Sequence, residues 1–221
     1  MNTYRHYTFL LLTVFCISGC TRQSPEEETT VSGLEENSAI SFAERFDVAL
    51  AQKENWRKHW QEHVGSFSSY DFKLIMTDTL DQYEMPEKNP IALDDPLAPY
   101  QIPHPTGNGV IDIYSYKIES QDEEGRPYLN PDAEVVWYKE DGMKKRLLFM
   151  GPSGMFEEAS WLNENELLVL GFFQDDEGFR PMAWVIELEG LVLRQYSLNK
   201  VTTTYPMTSY LDQKIKPLTL K

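Results

Sequence analysis

The run His59-Trp60-Gln61-Glu62-His63 sets two imidazoles four residues apart with a carboxylate between them. On a helix, positions i and i+4 share one face. His59 and His63 can then ligate one metal ion while Glu62 serves as a general base for hydrolysis. Such a site needs a third protein ligand, usually a Glu from a second helix. The chain after Gly65 reads as strands and turns, with no second long helix to supply one. Both histidines also flank an aromatic stripe through Trp56 and Trp60, where boundary residues normally sit. Metal-site membership for His59, Glu62 and His63 is therefore the alternative, and ordinary interface histidines are the expectation.

The remaining chemistry is sparser. Gly151-Pro152-Ser153-Gly154 begins like a nucleophile elbow, but Met155 stands where the second glycine of G-x-S-x-G belongs. The histidine outside the helix region that could join Ser153 in a relay is His104, in a proline-rich stretch. Asp94-Asp95 and Asp175-Asp176-Glu177-Gly178 offer oxygen ligands for Ca²⁺, yet neither has EF-hand spacing, and the second also reads as a hairpin turn. Among so many acids, a pair of carboxylates carries no information about glycosidase chemistry. No phosphate loop and no dinucleotide fingerprint occur. No catalytic residue is assigned and no cofactor is expected.

The elements that must carry these groups are legible from pattern. Ser41-Phe42-Ala43-Glu44 matches a capping box, and Phe42, Phe46, Ala49, Leu50, Trp56, Trp60 and Val64 recur at helical spacing up to Gly65. This predicts one amphipathic helix over 42–64, with its aromatic stripe packed on a sheet. Asp71 to Thr79 alternates as a half-buried strand. Residues 80–108, with six prolines, read as a long loop, functional or disordered. Strands are expected at 110–118, 134–138, 145–150, 156–161, 166–173, 182–188 and 191–198. The turns between them include Glu140-Asp141-Gly142, Asn163-Glu164-Asn165 and Glu189-Gly190. Tyr100, Tyr114, Tyr116, Trp137, Tyr138, Trp161 and Trp184 lie on or near these strands, and those outside the core would suit a binding face.

Charge and composition bound the function classes. The 221 residues hold 35 acids against 20 bases, for a net charge of −15, which excludes the cationic surface that nucleic acid requires. With 41% hydrophobic and 13% aromatic residues, the chain can build a packed core.

The N-terminus supplies an address. Arg5 and His6 precede an apolar run from Thr8 to Ile17, the n-region and h-region of a signal peptide and too short to span a bilayer stably. The run ends in Ile17-Ser18-Gly19-Cys20, which resembles the lipobox of bacterial lipoproteins. The resemblance covers the first 20 residues. It implies removal of residues 1–19 and acylation of Cys20 by diacylglycerol and a further chain such as palmitate. It implies a durable attachment to the lipid bilayer, since two or three chains hold where one does not. Thr21 stands where Asp marks inner-membrane retention in some of these families, so outer-membrane sorting is implied. Glu26-Glu27-Glu28 resembles the acidic export tag of some surface lipoproteins and equally suits a solvated tether. Removal of Cys16 and acylation of Cys20 would leave no thiol for disulfides or Cys-based zinc sites.

Three segments follow: a signal peptide over 1–19, an acidic flexible tether over 20–40, and a single β-rich domain over 41–221. Within that domain, Trp161-Leu162-Asn163-Glu164-Asn165-Glu166-Leu167-Leu168-Val169 resembles the turn between the first two strands of a β-propeller blade. The strands at 110–118, 134–138 and 145–150 resemble a second, incomplete blade. A ring needs at least about four blades, so the resemblance is local. The fold class expected is mainly β (α+β): an antiparallel meander forming a two-layer sandwich or open barrel, with one N-terminal amphipathic helix. The function expected is non-catalytic binding of an envelope protein or glycan. A metal-dependent envelope hydrolase using His59, Glu62 and His63 is the alternative.

Overall fold

A computed structural model describes residues 32–205 and 209–220, with side chains described from residue 42 onward. The signal-like run, the lipobox with Cys20, Thr21 and the Glu26–Glu28 triplet lie outside the described residues. The fold is mainly β, with antiparallel sheets that do not close into a barrel. Two helices, α1 (Ser32–Gln52) and α2 (Glu54–Val64), precede the strands, and a short α3 (Tyr210–Lys214) follows them. The strands are β1 (Phe72–Thr79), β2 (Met85–Pro86), β3 (Ile102–Pro103), β4 (Val110–Asp112), β5 (Ile118–Gln121) and β6 (Pro127–Leu129). They continue with β7 (Ala133–Tyr138), β8 (Met143–Met150), β9 (Gly154–Trp161), β10 (Glu166–Asp175), β11 (Gly178–Glu187) and β12 (Val192–Leu198). One five-stranded sheet has the order β1-β12-β11-β10-β9 and a second β2-β8-β7-β4-β3, while β5 and β6 form a separate hairpin.

The hairpins lie where turn chemistry places them. Gly142, at φ +84°, turns β7 into β8, and it follows Asp141, whose carboxylate accepts the Met143 N–H at 3.0 Å. Asn163 closes the β9–β10 turn by accepting the backbone N–H groups of Asn165 and Glu166, both at 2.8 Å. The central strands are covered on both faces: every residue of β7 is buried, as are Leu167–Phe172 of β10 and Pro181–Ile186 of β11. The alternation expected of half-buried strands gives way there to continuous apolar runs.

Several expectations change. The helix over 42–64 is two helices, broken at Lys53, which sits at φ −104° and ψ 44°. The apolar stripe itself carries the reason. Phe42, Phe46, Ala49 and Leu50 keep helical phase, but the step from Leu50 to Trp56 is one residue short of two turns. A break restores both faces to the core. Ser41 lies inside α1, so its capping box caps nothing, and residues 32–40 of the expected tether are helical. The strand over 110–118 ends at Asp112, whose Oδ1 accepts the N–H groups of Tyr114 (2.8 Å) and Ser115 (3.0 Å) and turns the chain. Tyr114 is therefore buried and Tyr116 exposed. The loop at 80–108 carries β2 and β3, a helical turn at Ala98–Tyr100 and an amide pair between Asn89 and Gln101 at 2.8 and 3.0 Å. β1 is buried only at Phe72 and exposed along the rest of its length.

The helices close the core. Phe46 is fully buried and meets Phe72 edge-on at 5.0 Å, while Phe42 stacks on Tyr196 at 4.4 Å. Trp56 and Trp60 are also fully buried. Phe46→Ala should cost about 3–5 kcal/mol of folding free energy. Urea melts of the two chains would check this, and an unchanged midpoint would mean that α1 is not part of the domain.

Candidate functional site

The chemistry of the chain converges on one bulge. β9 pairs with β10 in register from Trp161↔Leu167 to Glu158↔Leu170, then slips to Phe156↔Gly171. Glu157 is the extra residue. The bulge allows Glu157 and Glu158, which a regular strand would aim at opposite faces, both to reach the helices. Gly171 is required opposite, because a Cβ there would lie 1.8 Å from the Met155 carbonyl oxygen.

Glu157 is wholly buried. Its Oε2 accepts the indole N–H groups of Trp56 at 2.9 Å and Trp60 at 2.8 Å, and its Oε1 accepts the Tyr205 hydroxyl at 2.5 Å. No cation pairs with it among the described residues. Burial pushes its carboxyl up to about 7, and the three donors only partly oppose that. Glu158 is treated differently. Burial pushes its carboxyl up too, but Lys214 and Lys53 outweigh burial and hold it below the usual range. Lys53 Nζ lies 2.9 Å from Oε2, while Lys214 and the Tyr210 hydroxyl both donate to Oε1. Lys214 also donates to the Tyr114 hydroxyl at 2.7 Å, which in turn donates to the Glu157 carbonyl at 2.7 Å.

A cleft of about 440 Å³ opens beside this network, between α2 and α3. Lys58, His59, Glu62, Glu158, Tyr210 and Lys214 line it, together with the amides of Asn55 and Gln213. Tyr205 connects cleft to interior: its hydroxyl meets Glu157 on one side and His59 Nε2 at 3.3 Å on the other. When Glu157 is ionised, Tyr205 donates inward and His59 presents Nε2–H to the phenol oxygen. When Glu157 is protonated, the pattern can reverse. Burial, and then the neighbouring His63, lower the pKa of His59, while Glu62 raises it. His59 is therefore mainly neutral at pH 7.

The other sequence candidates are placed as follows. His59 and Glu62 both line the cleft, and the His63 ring lies 5.0 Å from that of His59. Among the described residues, no group of three or more His, Cys, Asp or Glu side chains is arranged to hold a metal ion. Ser153 and His104 are not brought together. Ser153 is in the β8–β9 turn, where its carbonyl accepts the Gln174 N–H at 2.6 Å. His104 is buried, stacked on Trp137 at 5.5 Å and edge-on to Trp161 at 4.5 Å. Asp95 accepts the Leu97 N–H at 2.7 Å, and Asp175 accepts the Glu177 N–H at 2.9 Å, so each serves as a turn cap. Of the aromatics considered for a binding face, Tyr114, Trp137, Tyr138 and Trp184 are core, and Tyr116 is exposed.

Glu157, Glu158, Lys53, Lys214 and Tyr205 were not singled out by sequence reasoning. The available signal was two adjacent acids inside the apolar β9 run, which breaks strand alternation. Comparison with protein families, curated proteins and solved structures found no match for this chain.

Glu157 makes stability depend on pH with a defined sign. Its folded pKa lies above its ordinary value, so the folded state holds the extra proton between about 4.5 and 7. The stabilisation is complete below that window and is lost as pH rises through it. Glu157→Gln should gain about 3 kcal/mol relative to wild type between pH 5 and pH 8. Paired urea melts at the two pH values read this directly, and a constant difference would sink the assignment.

Proposed function

We propose that the chain is a lipid-anchored lipoprotein of the bacterial cell envelope, held at the outer membrane by acylated Cys20, whose β-rich domain binds a glycan or protein partner without catalysis. The observation that carries the binding reading is the cleft between α2 and α3. Its strongest acid and base groups are committed to one another. Glu158 is held by two lysines and a tyrosine, and His59 faces Tyr205. What it offers a ligand is a rim of amides, Lys58 and Glu62 around a rigid wall, a lining suited to a polar, hydroxyl-rich molecule. The anchor rests on Arg5, the apolar run and Ile17-Ser18-Gly19-Cys20. Among the described residues no helix is long and apolar enough to cross a membrane.

The hydrolase alternative lacks a third ligand among the described residues, and nothing in the cleft favours it. Elemental mass spectrometry of the purified full chain separates the two readings. Stoichiometric zinc that disappears in His63→Ala would establish the metal site instead.

Two measurements test the proposal. Cys20→Ala should abolish incorporation of labelled palmitate and move the chain from the membrane to the soluble fraction; a variant that stays membrane-bound overturns the anchor. Asn55→Ala and Gln213→Ala should each weaken binding of solubilised cell-wall glycan roughly three- to tenfold, for one hydrogen bond lost, read by tryptophan fluorescence. If wild type shows no saturable response to that glycan or to an envelope extract, the binding reading fails.

A further inference from the structure

Among the described residues β1 is the outer strand of its sheet and pairs only with β12. Leu74, Ile75 and Met76 along it are 54%, 58% and 44% exposed, an unusual apolar load for an open edge. Opposite charges bracket this segment, Lys73 on one side and Asp78 on the other. Neither makes an ion pair among the described residues: Lys73 donates to the Tyr70 carbonyl at 3.0 Å, and Asp78 accepts the Thr79 N–H at 2.7 Å.

The backbone phase of the free edge follows from the ladder. Leu80 donates to the Leu191 carbonyl at 2.7 Å, which makes that pair hydrogen-bonded and fixes the alternation back along β1. Asp78 and Met76 then direct their backbone groups to β12. The register slips by one at Ile75, so before the bulge Lys73, and not Leu74, faces β12. Phe72, Leu74, Thr77 and Thr79 therefore lie on the outward phase of the edge, where Leu74 and Thr77 leave their N–H and C=O groups open and the Phe72 N–H donates back to the Ser69 carbonyl. The Thr79 N–H agrees, since it is satisfied by a side chain and not by the ladder.

We propose that two copies of this chain pair antiparallel through β1 about a two-fold axis, joining their five-stranded sheets into one of ten. Symmetry limits the registers. An unbroken strand can pair with itself only when identical or same-parity residues face each other, because inward and outward groups alternate. The bulge shifts that parity and permits Leu74 opposite the second copy's Thr77 as a hydrogen-bonded pair, occurring twice, with Phe72 opposite its Thr79 at the two ends, where the N–H groups are already satisfied within each chain. Lys73 then faces Asp78 and Ile75 faces Met76 as the closer, non-hydrogen-bonded pairs, each occurring twice. The same register thus joins the free backbone groups of Leu74 and Thr77, covers the apolar centre and sets Lys73 against Asp78. The two-fold arrangement is isologous and self-terminating, so the edge is closed without a fibre.

Sedimentation velocity of the full chain in density-matched detergent tests this. Wild type should dimerise reversibly with a micromolar dissociation constant. Lys73→Asp or Asp78→Lys alone sets like charges opposite each other twice and should weaken dimerisation roughly tenfold. The double variant Lys73→Asp/Asp78→Lys restores opposite charges and should return to near wild-type affinity. Thr77→Pro removes an outward N–H that β12 does not use, and should abolish the dimer without loss of the fold's melting transition. A chain monomeric at about 100 μM, a dimer indifferent to the single reversals, or a double variant as weak as the singles would overturn the proposal.

Discussion

A carboxyl closed off from water beside no cation must be surrounded by hydrogen-bond donors, or its burial costs more than a small domain can absorb. Glu157 imposes that demand, and much of the structure answers it. Both indole donors lie four residues apart on α2, so the rotation of that helix about its axis is set by one carboxylate oxygen. The third donor, Tyr205, comes from the segment after β12 and brings the C-terminal part of the chain to the same point. Tyr205 also stacks on Trp60 at 4.8 Å, so the donors pack against each other as well as against the acid.

Glu158 carries the complementary constraint. Its two lysines come from opposite ends of the domain, Lys53 at the junction of α1 and α2 and Lys214 in α3. Lys53 is the residue at which the helix breaks, so the break sets the phase of the aromatic stripe and also delivers an ammonium group to a buried acid. A continuous helix through Lys53 would lose one or the other. The bulge at Glu157 unites these features, since without it the two adjacent acids would address opposite faces of the sheet.

These interior charges also bear on the surface. With 35 acids and 20 bases in the chain, the interior takes both signs: Asp112, Glu134, Glu157 and Glu158 are buried alongside Lys117 and Lys145. Lys117, buried and donating to the carbonyls of Asn130 and Asp132, has its pKa lowered to about 8 by burial. It too serves the fold. The cleft beside α2 inherits its polarity from the same network, and its walls are rigid because they are the outer side of a satisfied hydrogen-bond cluster.

What could be read from the chain alone was local. The hairpins from β7 to β12 follow from Asp-Gly, Asn-rich and Glu-Gly turns, whose geometry is settled within four residues. The aromatic stripe of α1 and α2 is read as core because helical periodicity is local as well. Even the break at Lys53 leaves a trace, in a spacing one residue short of two turns. Glu157 leaves almost none: its donors lie 101, 97 and 48 positions away. No periodicity connects a strand acid to a helix indole at that distance. The His59, Glu62 and His63 spacing shows the converse, since helix geometry can set side chains near one another but cannot supply a third ligand from elsewhere. Local chemistry determined the strands, the turns and the apolar faces. Only the tertiary structure decided which polar groups meet, because burial gives a carboxylate its character, and burial belongs to the packed whole.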